Sequence, residues 1–237
     1  MFPTVAEARA LFETVHANLD ERAEAGSPVP RVIVCPPFVA LEPIHRMADP
    51  RLVRLGAQNC HWEQQGPFTG EISPRMLAGL VDYVMLGHSE RRAMGETDEQ
   101  IGRKVAAAVE AGLVPIVFVG EDDRGQDAIR LTERRLRMAL SGIDVATQPL
   151  LVVYEPTWAI GAKEAAPPEH VGRAVGHLKG VLSDLGSSTP EVIYGGTVNE
   201  GNIDALLALD ELDGVGATRA SLKADSFLAL VDRVAAA

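Results

Sequence analysis

The segment LGHSERR at residues 86–92 contains a candidate catalytic side chain, His88. This histidine ends an apolar run and begins a charged cluster, so we expect it at the carboxyl end of a strand, where barrel enzymes place their catalytic groups. Its imidazole can polarise a carbonyl group or transfer a proton near neutral pH. A less specific interpretation is a histidine at the start of a surface helix, with Glu90 paired to an arginine.

A carboxylate follows a second apolar run in the segment YEPTWAIG at residues 154–161. Glu155 should be partly desolvated there, which raises the pKa of a carboxyl group toward the range that suits a general base. The alternative is a glutamate that caps a helix or forms an ion pair. Residues 156–163 begin with proline and contain Gly161 near their end, as a lid with small hinge residues does. A loop packed permanently on the surface has the same pattern.

The segment YGGTVN at residues 194–199 adds a third candidate group. Gly195 and Gly196 allow backbone N–H groups to turn toward an anion, although a Gly-Gly turn alone is a weak signal. A carboxylate base, an imidazole and a backbone phosphate cradle together suit proton abstraction next to the carbonyl of a phosphorylated sugar. A closing loop would keep water away from the enediolate.

The elements that must position these groups alternate between strand and helix, which predicts an α/β fold. Seven continuous apolar runs indicate strands covered on both faces, at residues 31–35, 53–58, 83–87, 114–119, 150–154, 191–195 and 213–217. Helices with capping boxes are predicted after Thr4 and after Thr97. No linker divides the chain, so we predict one domain over residues 1–237. An open seven-stranded sheet and an eight-stranded barrel with one strand absent both fit this pattern.

Composition excludes several classes of partner. The 237 residues carry a formal charge of −11, which would repel nucleic acid. No apolar run approaches the length of a membrane span, and the N-terminus does not resemble a signal peptide, so we expect a cytoplasmic protein without membrane contact. Neither the two cysteines nor the six histidines form a ligand cluster, and no GxGxxG follows a strand, so neither a metal nor a dinucleotide cofactor is expected. Four histidines are interpreted as surface helix residues, namely His16, His45, His170 and His177.

Seven motifs together resemble the triosephosphate isomerase family, in the same order and over essentially the whole chain. They are GAQN (56–59), FTGEISP (68–74), GHSERR (87–92), AGLVPIVFVGE (111–121), YEPTWAIG (154–161), YGGTVN (194–199) and SLKADSFLALV (221–231). The resemblance implies a TIM (β/α)8 barrel, a homodimer, no cofactor, and the interconversion of dihydroxyacetone phosphate with glyceraldehyde 3-phosphate.

The same resemblance implies a role for individual residues. Glu155 matches the general base and His88 the neutral imidazole electrophile, with Ser89 and Glu90 as their hydrogen-bonding neighbours. Residues 156–163 match the closing loop. The positions that match phosphate contacts are Gly161, Gly195, Gly196, Thr197, Thr218 and Arg219. The positions that match the dimer loop and its surroundings are Thr69, Glu71 and Arg91.

Four departures from the family pattern limit the comparison. No Asn-x-Lys segment precedes the first helix, so we hypothesise that the chain begins at an internal methionine; a natural form without that strand is the alternative. Thr218-Arg219 replaces the usual Gly-Gly, and Arg219 could supply a bidentate phosphate contact. Phe118 stands where cysteine is usual, and residues 162–164 differ from the usual hinge.

These departures leave two further functions open. A Gly-Arg version of the pair at 218–219 resembles the branch of the family that isomerises four-carbon erythrulose phosphates, and the sequence CHW at residues 60–62 also favours that branch. A non-catalytic barrel that binds a phosphorylated ligand without turnover is the other alternative.

Overall fold

A computed structural model of the chain describes residues 3–125, 128–160 and 165–237. Its core is a parallel sheet whose six strands are hydrogen-bonded in sequence order. The strands are β1 (Val32–Val34), β2 (Val53–Ala57), β3 (Tyr83–Leu86), β4 (Val114–Val119), β5 (Leu151–Tyr154) and β6 (Val192–Tyr194). Because all six run in the same direction, their carboxyl ends meet at one edge of the sheet.

Helices cover the outer face of this sheet. The described residues form α1 (Val5–Glu24), α2 (Phe38–His45), α3 (Pro74–Leu77), α4 (Ser89–Ala93), α5 (Asp98–Glu110), α6 (Ala128–Ala139), α7 (Pro168–Asp184), α8 (Ile203–Leu207) and α9 (Ala224–Ala236), and 3-10 turns at Thr157–Ala159 and Arg219–Leu222. The capping boxes predicted at Thr4 and Thr97 are confirmed. No helix in the described ranges combines the length and apolarity that a bilayer crossing requires.

The sheet is curled, so that its inner face forms a small core of its own. Side chains of β4 and β5 fill this inner core, and side chains from β1, β3 and β6 pack against them: Ile116, Phe118, Leu151, Val153, Ile33, Cys35, Tyr83, Met85 and Ile193. The guanidinium of Arg31, just before β1, makes a bidentate pair with Glu191, just before β6, at 2.8 and 3.2 Å. Contact between the first and last strands excludes a flat open sheet and confirms the TIM-barrel type of architecture.

The seventh predicted strand is wrong in its extent. Residues 213–217 lie beside β6, but only Val215 forms a bridge, with Tyr194. Asp213 N–H and Gly216 N–H still donate to β6 carbonyls at 3.1 and 2.7 Å, so the segment is attached to the sheet. Gly214 and Gly216 flank the bridge, and glycine weakens a strand because it adds entropy to the unfolded chain and has no side chain to pack.

The two cysteines are free thiols, and burial raises the pKa of Cys35 and of Cys60 to about 12. Since the thiolate is the reactive form, we expect neither thiol to react readily with DTNB in the native protein at mildly alkaline pH. Both should react quickly in denaturant. Rapid native labelling would show that the inner core around Cys35 opens to solvent.

Candidate active site

The three predicted polar segments converge because each follows the carboxyl end of a parallel strand. His88 comes two residues after β3, Glu155 directly after β5, and Gly195 directly after β6. β3, β4, β5 and β6 are consecutive neighbours in the sheet, so these ends form one continuous rim. Catalytic groups of barrel enzymes occupy this rim.

Glu155 is a buried carboxylate with two donors, and only 3% of the residue is exposed. Its Oε2 accepts a hydrogen bond from the backbone N–H of Ser89 at 3.0 Å, and its Oε1 lies 3.1 Å from Nε2 of His88. In this resting arrangement the carboxylate is held on the β3 side of the site. A carboxylate held in this way can act as a general base only after it exchanges these partners for the group that gives up the proton.

His88 is oriented by the first turn of α4, where it is the N-cap residue. Its Nδ1 accepts the backbone N–H of Glu90 at 3.2 Å, so the proton of a neutral ring lies on Nε2, facing Glu155. Burial lowers the pKa of His88, but the hydrogen bond and charge of Glu155 raise that pKa more, and the net direction is upward. When Glu155 turns away, that upward contribution is lost and the neutral imidazole is favoured.

Ser89 and Glu90, the predicted hydrogen-bonding neighbours, contact Glu155 and His88 through their backbone N–H groups. The His88 ring also meets the edge of Phe118, with centroids 5.0 Å apart at 62°. Phe118 belongs to the inner core and packs against the imidazole.

Gly120, at the end of β4, allows the backbone of Glu155 to pass close by. A Cβ on Gly120 would lie 2.0 Å from the Glu155 carbonyl oxygen and 2.9 Å from the Pro156 nitrogen. We expect Gly120→Ala to displace Glu155 and lower kcat by about 100-fold, since catalysis tolerates little misplacement. The control is Gly180→Ala in α7, where a Cβ meets nothing within 4 Å. Wild-type steady-state kinetics in Gly120→Ala would contradict this prediction.

The turn after β6 contains backbone N–H groups that have no hydrogen-bond partner among the described residues. The N–H groups of Gly196, Thr197 and Val198 donate to no residue in the described part of the chain, although Gly196 and Val198 are buried. Buried N–H groups without a partner are rare, so these three are candidate anion ligands. Glycine is required at this turn because a Cβ on Gly195 or Gly196 would lie 2.3 Å from Val153 Cγ1 or 2.2 Å from the Tyr194 hydroxyl.

Two of the residues predicted to bind phosphate make other contacts than expected. The N–H of Gly195 donates to the Tyr154 carbonyl at 2.9 Å, and the Thr197 hydroxyl donates to the Ala159 carbonyl at 2.8 Å. In this arrangement both groups hold the turn in place and do not face an open site. For Gly195 the reason is that its backbone extends the hydrogen-bonded pairing of β5 with β6 by one residue.

Thr218 and Arg219 are exposed beyond the segment attached to β6. The Thr218 carbonyl accepts the Ser221 hydroxyl at 2.6 Å. The exposed Arg219 side chain has neither a hydrogen bond nor an ion pair with any described residue, which makes its guanidinium a candidate to bind an anion. Gly161 and the remainder of the predicted closing loop at 161–163 lie outside the described residues.

The predicted dimer loop is closed at its base by the His61 N–H, which donates to the Ile72 carbonyl at 2.8 Å. Thr69 and Glu71 are exposed on this loop. Arg91 lies on α4 with a terminal nitrogen 3.6 Å from Glu96, and its Nε is buried without a partner.

Glu121 and His170 form a buried cluster that the sequence analysis missed. The interpretation of His170 as a surface residue is wrong, because its Nε2 lies 2.8 Å from both Glu121 Oε1 and the Tyr154 hydroxyl. His16 is also half-buried and accepts the Asp49 N–H at 3.0 Å, whereas His45 and His177 are exposed. Of Glu121 and His170, only Glu121 could have been found from the sequence, because it ends the motif AGLVPIVFVGE at 111–121.

Comparison with known proteins agrees with this geometry. Residues 1–234 match the family model described as "TIM: Triosephosphate isomerase". Among similar curated proteins is the triosephosphate isomerase of Dehalococcoides mccartyi. It is 41% identical over an alignment of 244 residues, which covers 99% of this chain and 93% of the relative. Those of Roseiflexus castenholzii and a Synechococcus species are 41% and 40% identical, each covering 98% of this chain and 93% of the relative. The chain belongs to the triosephosphate isomerase family.

Proposed function

We propose that this protein interconverts dihydroxyacetone phosphate and glyceraldehyde 3-phosphate. The observation that carries the proposal is the 3.1 Å contact between His88 Nε2 and Glu155 Oε1, which places a donor and a base within reach of one small molecule. The relatives named triosephosphate isomerase support the same substrate.

The chemistry follows from these two groups. Glu155 accepts the proton from the carbon next to the carbonyl, and the electrons of that C–H bond form an enediolate. The Nε2–H of His88 donates to the oxygen on which negative charge develops. A proton passes from the neighbouring hydroxyl oxygen to that charged oxygen through His88 Nε2, and Glu155 returns the first proton to the adjacent carbon. The carbonyl and hydroxyl groups thereby exchange places with no net gain or loss of atoms.

A phosphate group would be held at the far end of the site. The unpaired N–H groups of Gly196, Thr197 and Val198 support this placement, with Gly161, Thr218 and Arg219 as further ligands. Arg219 would contribute a positive charge and two parallel donors, which suits a phosphate dianion. Gly195 would contribute indirectly, because its lack of a side chain allows the turn to pack against Val153.

The test is an isomerase assay with glyceraldehyde 3-phosphate and, separately, with erythrulose 1-phosphate. We expect turnover of the three-carbon substrate with the larger kcat/KM. A preference for the four-carbon substrate would favour the branch that Thr218-Arg219 resembles. Binding of either compound without turnover would instead support the non-catalytic alternative.

We further propose that the chain forms one domain and acts as a homodimer in the cytoplasm. Exposed apolar side chains occur after three neighbouring strands, Val39 after β1, Phe68 after β2 and Met94 after β3. Because their strands are adjacent, we expect these side chains to lie near one another on one rim, and an apolar patch of this kind is typical of an interface. Charged sugar phosphates do not cross membranes readily, which supports a cytoplasmic site of action.

If this rim is the dimer interface, a charge on it should separate the subunits. We expect Phe68→Asp to elute as a monomer in size-exclusion chromatography with light scattering, whereas wild-type protein elutes as a dimer, because a buried unpaired charge is costly. Ile160→Asp introduces the same charge at another exposed apolar residue, which follows β5, and should leave the dimer intact. A monomeric wild type would contradict the proposal.

A further inference from the structure

Glu121 is a fully buried carboxylate with 0% of the residue exposed. Its Oε1 accepts the Tyr154 hydroxyl at 2.7 Å and the Trp158 indole N–H at 3.1 Å, and lies 2.8 Å from His170 Nε2. Its Oε2 accepts the Thr132 hydroxyl at 3.2 Å. Groups from α6, α7 and the segment after β5 therefore meet at one carboxylate.

His170 is the one charge-capable partner of this carboxylate among the residues that the structure describes. The nearby Arg135 is engaged elsewhere, since it forms a bidentate pair with Asp122 at 2.8 and 3.1 Å. A carboxylate without water is stable only when it is paired and hydrogen-bonded. Whether the ring is neutral or charged, its Nε2 must carry a proton to face the carboxylate.

Two donors of the cluster flank the proposed base. Tyr154 immediately precedes Glu155, and Trp158 follows it by three residues. The Trp158 ring is also covered by the Arg124 guanidinium at 4.0 Å and approached edge-on by His170 at 5.3 Å. The residues on both sides of Glu155 are thus hydrogen-bonded to Glu121 Oε1, the oxygen that His170 Nε2 also contacts.

We infer that His170 is a positioning residue for Glu155, an inference that rests on the proposed function. It acts through the Glu121 carboxylate on the segment from Tyr154 to Trp158 and does not touch the substrate. Loss of its donor would leave Glu121 without a charged partner and loosen the hydrogen bonds of Tyr154 and Trp158. The carboxylate of Glu155 would then spend less time at the reactive position.

The test compares two amides that differ by one methylene. The side chain of His170→Gln can reach Glu121 with an N–H donor, whereas that of His170→Asn cannot. We expect kcat to fall by about 10- to 100-fold in His170→Asn with KM within about threefold of wild type, and His170→Gln to restore most of kcat. The matched control is His177→Asn, which removes another α7 histidine that contacts a carboxylate, Glu133 at 2.9 Å.

Fluorescence supplies a readout that does not depend on turnover. In a Trp62→Phe background Trp158 is the sole tryptophan, and we expect His170→Asn to shift its emission whereas His170→Gln and His177→Asn do not. Equal kcat in the Asn and Gln variants, or unchanged Trp158 emission in folded His170→Asn, would overturn the inference. An inactive wild type would overturn the proposed function and leave this fluorescence test in force.

Discussion

Replacing Glu155 by glutamine should lower kcat by about 10³-fold or more while the fold stays intact. The amide is isosteric and can still accept the Ser89 N–H through its oxygen, so the packing of this buried group is retained. It has no basicity with which to take a proton from carbon. Steady-state kinetics in both directions measure the loss, and circular dichroism confirms the fold.

Glu155→Asp tests placement separately from basicity. It keeps the carboxylate but withdraws it by one methylene, and we expect a loss of about 100-fold because base placement sets the barrier. Glu200→Gln is the matched control, since Glu200 is exposed in the turn after YGGTVN on the same rim. Unchanged kcat in Glu155→Gln would refute the assignment of the base.

The Glu155→Gln variant should also change the titration of His88. Glu155 is the group that raises the pKa of His88 against the lowering effect of burial. Removing the charge should therefore lower that pKa, and NMR titration of the imidazole measures the shift. A raised folded-state pKa stabilises the protein at pH values below the unfolded pKa, and this contribution is lost as pH rises through the folded pKa. The variant should lack that stabilisation at low pH.

Replacing His88 by asparagine should lower kcat by about 10²- to 10³-fold, the range observed when an oxyanion donor is removed. Asparagine is a good N-cap, so its side-chain oxygen can still accept the Glu90 N–H and hold the start of α4. Its amide is too short to reach the position of Nε2. The variant therefore separates the donor from the cap, which kinetics and thermal unfolding measure independently.

His45→Asn is the control for His88→Asn, because His45 is exposed on α2 and has no part in the site. It should leave kcat unchanged. Wild-type turnover in His88→Asn would show that carbonyl polarisation comes from another group. Arg219 would then be the next candidate, because it carries a positive charge and closely follows the segment at 213–217 that is hydrogen-bonded to β6.

Local sequence determined the strands and the principal groups of the site. The apolar runs that became β1 to β6 are continuous because both faces of the sheet are covered, and this pattern is visible without a structure. His88 and Glu155 were predicted because each follows such a run. Parallel strands bring their carboxyl ends to one rim, so sequence position alone implied that these two side chains would be neighbours.

Tertiary structure decided which partners each group has. The 213–217 segment was predicted as a strand, but with an aspartate and two glycines among its five residues it forms only one bridge beside β6. His170 lies in the first turn of α7, next to an apolar face, but only the packing of α7 against β5 places its imidazole on Glu121. Likewise, the Gly195 N–H donates to the Tyr154 carbonyl, whereas the N–H groups of Gly196, Thr197 and Val198 have no partner in the part of the chain that the structure describes. Such contacts join residues far apart in the chain, and local propensity has no information about them.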